Sequence, residues 1–526
     1  MKSSSWLQTG GFALLGFAFA LSVWKVFTYT KQENDPNVRT LRFAHWQLED
    51  GVSGALDQAA RDYEKLHPGV RIIQIRIPEK VYPNWVTTQL VGGTAPDLIQ
   101  IGKGIDQARL ARFFDPITDE VIKPNPYNVG SPLEGVPWRD TFIDGMTGGF
   151  DETLQDYYGA PLFMATVRMY YNRSLMRDIT GSDQPPRNFA EMIELADKTR
   201  EFSRRENRLV VPIAGSRYNA PILIERVFAS MTQRLGQDLA TRRQFQFDGE
   251  QMLVALLQDR WNLETPALQS SLKLASQLGR HMQPGFMQLD REDATFLFEQ
   301  GRALMVATGS WDATTLFNRP SFPVGVFDLP APSPQHPEYG RFVMGRHSEQ
   351  GVRSYGPLGI PNVSKNRELA LDFLRFVTSQ PGNQNFTTRS GWLPVTLNVK
   401  PVDSVAPFMP VFDGYPDGFT LTRTTEMRRV VETNFHLLFG PEEPVQRFVD
   451  NVSGPLKSAG RADLVRLQRD RVQQLTRADL TVTANEMLAA QNADEAEAYL
   501  RRARGQRERQ FGAETAHAHV STLLEE

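Results

Sequence analysis

TLRFAHW (Thr40–Trp46), SGALDQAARDYEKLH (Ser53–His67) and VRIIQIRI (Val70–Ile77) follow one another with little between them. The first alternates apolar with polar residues, as a strand does. In the second, Leu56, Ala59, Ala60, Tyr63 and Leu66 recur at helical spacing, and Pro68-Gly69 stops the helix. The third is rich in β-branched residues and reads as a strand. Tyr82–Leu90 suits another helix, broken by Gly92-Gly93-Thr94-Ala95-Pro96. Asp97–Ile101 is then a short apolar strand. Strand, helix, strand, helix, strand with short breaks predicts an α/β fold with a parallel sheet between helices. Ligands of such sheets bind outside the carboxyl ends of the strands, so His45–Gly51 and Gln100–Gly104 carry functional weight. Asp97, after Pro96, reads as a turn-stabilising carboxylate.

Working outward, Tyr158–Asn172 is a long strand-like stretch. Asn188 and Glu191 mark the start of a helix reaching Arg200, with capping-box spacing. FLFEQG and ALMVAT give a helix and a strand leading into Gly309-Ser310-Trp311-Asp312. Arg367–Ser379 is a helix that Pro381-Gly382 appends as a stop, followed by Ser390-Gly391-Trp392-Leu393-Pro394. From about Asp450, Gly and Pro become scarce. Two helical runs, Arg461–Thr476 and Ala484–Gln510, carry charges of both signs, the pattern of a solvated face. At the other end, the apolar run Gly10–Tyr29 follows Lys2. It reads as export by a cleaved signal, with Ala18-Phe19-Ala20 as the cleavage site, or as a retained membrane anchor if Lys25 snorkels.

Composition excludes several classes. The 526 residues hold 58 Lys+Arg against 61 Asp+Glu, so no basic excess suggests nucleic acid. There is no cysteine, which removes disulfides, thiolate metal sites and Cys nucleophiles. The sequence has no phosphate-binding glycine loop, no G-x-S-x-G elbow and no H-E-x-x-H helix. No catalytic residue, metal ligand or cofactor is therefore assigned. What stands out is tryptophan beside small residues after predicted strands: Trp46, Trp311 and Trp392. An indole offers the flat apolar surface that the C–H face of a sugar ring matches, while nearby polar groups satisfy its hydroxyls.

These segments together resemble an extracellular solute-binding protein of a bacterial ABC transporter. The group is the large sugar-binding one (family 1) that includes the maltose-binding protein. The resemblance spans about Leu41 to Val395. It rests on LRFAHW with ALDQAARDYEKLHPGVRI, GGTAPDLIQIG, YGAPLFMATVRMYYN, FEQGRALMVATGSWD, SYGPLGIP, and ALDFLRFVTSQPGNQNFTTRSGWLPV. It implies a two-lobed, type II-like periplasmic-binding-protein fold with hinge crossovers and, in this chain, a helical C-terminal extension. The lobes are expected at 37–163 with 350–395, and at 164–349 with 396–450. Residues 1–36 would be leader and linker, and 451–526 the extension.

The resemblance maps ligand contacts to His45, Trp46 and Gln47, to Gln100 and Lys103, and to Met164 and Thr166 in the first hinge segment. It also maps them to Trp311 with Asp312, and to Gly391 with Trp392. Members often carry a sugar-contacting carboxylate in that hinge segment; here Met164-Ala165-Thr166 stands instead. The implied role is capture of a mono- or oligosaccharide between the lobes and delivery to permease subunits, outside the cytoplasm. The N-terminal segment would tether the protein to the membrane if uncleaved. A membrane-anchored solute sensor signalling to a partner protein is the alternative, and an exported carbohydrate-active enzyme is a third reading.

Overall fold

The computed structural model describes residues 38–49, 51–152, 154, 156–240, 248–491, 493 and 496–525. The apolar run Gly10–Tyr29 lies outside them. No helix among the described residues is long and apolar enough to cross a membrane.

The chain forms two compact units. Unit 1 takes the residues up to Phe163 and then Arg353–Lys400; unit 2 takes Met164–Val352 and the chain from Pro401 on. Unit 1 opens as the sequence predicts, with β1 (Arg39–His45), α1 (Val52–Leu66), β2 (Val70–Arg76), α2 (Tyr82–Gly92) and β3 (Leu98–Gln100). β1 pairs in parallel with β2 on one side and β3 on the other, Leu41 facing Ile72 and Phe43 facing Leu98. α1 buries Val52, Ala55, Leu56, Ala60 and Tyr63. These positions form one helical face, and each large side chain buried there contributes about 1.5–3 kcal/mol. Two short strands follow, β4 (Phe114–Asp115) and β5 (Gly159–Ala160).

Unit 2 contains β6 (Val167–Asn172), α3 (Phe189–Arg205), β7 (Val211–Ala214), α4 (Asn219–Met231), α5 (Gly249–Leu257), α6 (Pro266–Arg280), β8 (Ala303–Gly309) and β9 (Val324–Phe327). Its sheet runs β9-β6-β8-β7. The stretch Tyr158–Asn172, which reads as one strand, is divided between the units: Gly159–Ala160 pairs in the first sheet and Val167–Asn172 in the second. Asn188 caps α3 by accepting the Glu191 N–H (3.0 Å). Glu191 answers by accepting from Arg187 N (2.9 Å) and Asn188 Nδ2 (3.2 Å) rather than from Asn188 N.

Back in unit 1, β10 (Leu358–Pro361) joins the first sheet between β3 and β4, antiparallel to both. The sheet is therefore mixed rather than parallel. β10 arrives after the whole of Met164–Val352, not through a helical crossover, so no βαβ geometry dictates its direction. Asp97 is the structural carboxylate expected: it accepts from Arg42 N (2.9 Å), Ser364 Oγ (2.8 Å) and Asn366 Nδ2 (3.1 Å). Pro381-Gly382 does not end a helix. α7 (Arg367–Val377) stops first, and α8 (Gln380–Ser390) starts with Pro381 in its first turn and Ser379 Oγ accepting from Gly382 N (3.1 Å). Proline fits a helix start because the N–H it lacks would be unpaired there.

The C-terminal region is helical, as expected. α9 (Thr425–Asn434), α10 (Pro444–Gln491) and α11 (Ala496–Glu525) group with unit 2. α10 begins well before Arg461 and runs through Pro455. Burial of Phe448, Val449, Val452, Leu456 and Leu464 in the unit 2 core outweighs the roughly 3 kcal/mol that an interior proline costs. Asp463, also buried, accepts the N–H groups of Glu426 and Met427 (2.9 and 3.0 Å) and so caps α9 from a neighbouring helix. The predicted run Ala484–Gln510 spans two helices, ending at Gln491 and restarting at Ala496. No Gly or Pro marks that break.

One buried ion pair organises unit 2 next to all three places where the chain changes unit. Arg168, early in β6, donates from both terminal nitrogens to Glu349 (2.7 and 2.9 Å), and also to Pro407 O (3.1 Å) and Met409 O (3.2 Å). Glu349 in turn accepts from Val411 N (2.8 Å). The segments just after Phe163, just before Arg353 and just after Lys400 are thus tied to one another.

Candidate ligand-binding site

In unit 1, the loops that follow β1 and β3 meet. His45 ends β1 and is buried. Burial, and then the nearby Arg76 charge, push its imidazole down to about 4, so the ring is neutral at physiological pH. Nδ1 accepts from Gln47 N (3.1 Å), and Nε2 lies 2.7 Å from the side-chain amide nitrogen of Gln74. Gln100 ends β3; its Oε1 accepts from Trp46 N (3.3 Å). The Gln47 amide satisfies its neighbours with its oxygen toward Gln100 Nε2 (2.8 Å) and Trp46 Nε1 (3.3 Å). His45, Trp46, Gln47 and Gln100 therefore form one hydrogen-bonded group. Phe43, His45, Gln47, Gln100 and Phe163 help to line a narrow cavity of about 10 Å³.

The Trp46 indole is half-buried, edge-on to Tyr82 at 4.7 Å. It lies against Gly102, where a Cβ would come within 2.7 Å of the ring. Gly102 also has φ +148°, which other residues rarely adopt. The glycine here makes room for the indole. Tyr82 Oη donates to Gln100 O (2.7 Å), fixing the β3 loop from below. Lys103 is exposed and pairs with Glu79, outside this group.

In unit 2, Trp311 follows β8 in a short 3-10 turn. Its half-buried ring lies on Gly309, where a Cβ would collide with the indole. Asp312 accepts from Thr308 Oγ1 (2.6 Å), and burial raises its carboxyl above the usual range. Tyr170 Oη donates to Gly309 O (2.8 Å), so the turn is held from the neighbouring strand. Each indole thus rests against a glycine, Trp46 with Tyr82 edge-on beside it and Trp311 on a turn that Tyr170 Oη ties to the neighbouring strand.

The remaining expected contacts are placed differently. Trp392 does not follow a strand. It follows α8, whose carboxyl end is closed by Gly391 in the left-handed conformation (φ +66°). Its ring is 3 % exposed and stands edge-on to Phe163 at 4.3 Å, so it packs the interior of unit 1 rather than offering a stacking surface. Met164 is buried, and Thr166 is buried with its hydroxyl donated to Phe408 O. Both serve the crossing segment. Sequence reasoning missed Gln74 and Tyr82, which support the site. Gln74 was legible as the polar exception in an apolar strand; Tyr82 carried no signal beyond its helix.

Residues 58–409 match the family described as bacterial extracellular solute-binding protein. A candidate binding protein of Brucella abortus (strain 2308) is 24% identical over 357 residues, 66% of this chain and 74% of the relative. YcjN of Escherichia coli K12, a candidate ABC transporter periplasmic-binding protein, is 23% identical over 200 residues, 38% of this chain and 42% of its own. Among solved structures, apo RafE from Streptococcus pneumoniae superposes with a TM-score of 0.56 at 16% identity, covering 81% of this chain and 99% of RafE. Maltose-bound MalE3 of T. maritima gives 0.53 at 18%, covering 80% and 99%. The two-lobed architecture is shared. With two-thirds of its length matched, the chain belongs to the bacterial extracellular solute-binding proteins, a family of binders rather than enzymes.

Proposed function

We propose that this protein captures a carbohydrate outside the cytoplasm and hands it to an ABC permease. The observation that carries this reading is the pairing, in each unit, of a pre-oriented indole with polar groups at the carboxyl end of a strand. Unit 1 supplies Trp46 with His45, Gln47 and Gln100; unit 2 supplies Trp311 with Asp312. A neutral imidazole, amides and a carboxyl group are the hydrogen-bond partners that sugar hydroxyls need. Solved relatives of this fold include proteins named for binding chitin oligosaccharide and raffinose, which supports the sugar class. Trp392, Met164 and Thr166 support the scaffold in this reading.

The test is a thermal-shift panel of mono- and oligosaccharides, followed by calorimetry on any hit. A ligand at about 100 times its Kd stabilises the fold by roughly 2.7 kcal/mol. A flat response to every sugar, with a shift from polyamines or phosphate esters, overturns the assignment. Delivery is tested by adding the protein with its sugar to vesicles holding the candidate permease and following ATP hydrolysis. No stimulation by the liganded protein rejects that part.

A further inference from the structure

The C-terminal helices lie beyond the family match, and α11 carries a stripe that unit 2 leaves uncovered. Leu500, Arg504, Arg507 and Phe511 stand at i, i+4, i+7 and i+11, one line along the helix. All four are exposed; Phe511, at 73 %, is the most exposed large apolar side chain among the described residues. α11 packs antiparallel to α10 through its other face, where Ala503, Gln506, Ala516 and Val520 are buried. Residues 496–511 hold five arginines against two glutamates, a local charge of +3 in a chain of net −3. Arg507 shares Glu486 of α10. Arg501 and Arg504 make no ion pair with a described residue.

We propose that this face of α11 docks on an anionic lipid surface. A packed helix partner fits the stripe poorly, because Arg504 sits at its centre with no ion pair to a described residue and would be buried without a counter-charge. At a lipid interface the same order is favourable. The guanidiniums meet phosphate oxygens while Leu500 and Phe511 enter the acyl boundary. The attachment is separate from the N-terminal apolar run and independent of which solute is captured.

The chain has no cysteine, so Thr515→Cys, one turn beyond Phe511, gives a unique site for an environment-sensitive fluorophore such as NBD. The labelled full-length protein is mixed with vesicles of phosphatidylcholine alone or of phosphatidylcholine with phosphatidylglycerol. Any insertion by residues 10–29 is common to both, so phosphatidylcholine is the reference. The expected result is a blue-shifted, several-fold brighter signal on phosphatidylglycerol only, reversed by high salt. Arg501→Gln with Arg504→Gln should weaken it roughly 25-fold, about fivefold per arginine, with unchanged thermal unfolding. Phe511→Ser should abolish the blue shift. Equal signals on both vesicles, no signal on either, or indifference to the arginine pair overturns the proposal. So does a rise with protein concentration in the absence of lipid, which would make the partner a second copy.

Discussion

Replacing Glu349 by Gln should be among the most damaging single changes in unit 2. The side chain is 4 % exposed and its partner Arg168 is 2 % exposed, so water cannot compensate either. The variant keeps the shape but removes the buried counter-charge of Arg168, leaving it only Asp328 at 3.8 Å, and one of the three carboxylates that face Arg226, which stands 3.6 Å from Glu349. Removing one partner of a buried pair costs about 3–5 kcal/mol, mostly from the charge left behind. In a unit this large that is a fall in Tm of roughly 6–10 °C, read by calorimetry. The decisive control is the double variant Arg168→Met, Glu349→Leu. A buried pair adds little net stability over apolar packing, so the double should be markedly more stable than the sum of the singles. It will not reach the parent, because Pro407 O and Met409 O lose their donor. A Tm loss under 2 °C for Glu349→Gln, or strict additivity in the cycle, would refute the claim that this pair ties the crossing segments together.

Other outcomes follow from the same geometry. His45 is held neutral, with its folded pKa depressed to about 4 from 6.5; the stability this represents is complete above pH 6.5 and is lost as the pH falls through 4. The parent should therefore lose about 2–3 kcal/mol more than His45→Gln between pH 7 and pH 4.5, measured as the difference in unfolding free energy; parallel curves would show that His45 is not the titrating group. Trp311→Ala should weaken binding of any sugar hit roughly 10- to 100-fold, whereas Trp392→Phe should leave affinity unchanged and lower thermal stability. The reverse pattern in calorimetry would exchange their roles. Asp463→Ala removes the carboxylate over α9 and should cost about 1–2 kcal/mol, checked by thermal unfolding; Asp463→Asn, which keeps an acceptor, should recover part of it.

Much of unit 1 was legible because its signals are local. Alternation in TLRFAHW and the β-branched run VRIIQIRI fix the strands. The apolar spacing of Leu56, Ala60 and Tyr63 marks the helix, and Pro68-Gly69 places its end. The loops carrying His45, Trp46, Gln47 and Gln100 followed from where strands end. The orientation of β10 was hidden, since strand direction depends on where the chain comes from. Pro381 misled because a proline can stop one helix or start the next, and only Ser379 as cap distinguishes them.

The sequence by itself determined the order of elements, the absence of cysteine and the family to which the chain belongs, because periodicity and composition are properties of neighbouring residues. Only the tertiary structure decided which tryptophans are surfaces and which are filling. Trp311 and Trp392 sit in similar small-residue contexts, yet one rests on Gly309 half-exposed and the other is buried against Phe163. The same holds for the Arg168–Glu349 pair, whose members are 181 residues apart, and for the carboxylate of Asp463 serving a helix that precedes it. Burial and partnership are set by packing between distant segments, and no local pattern encodes them.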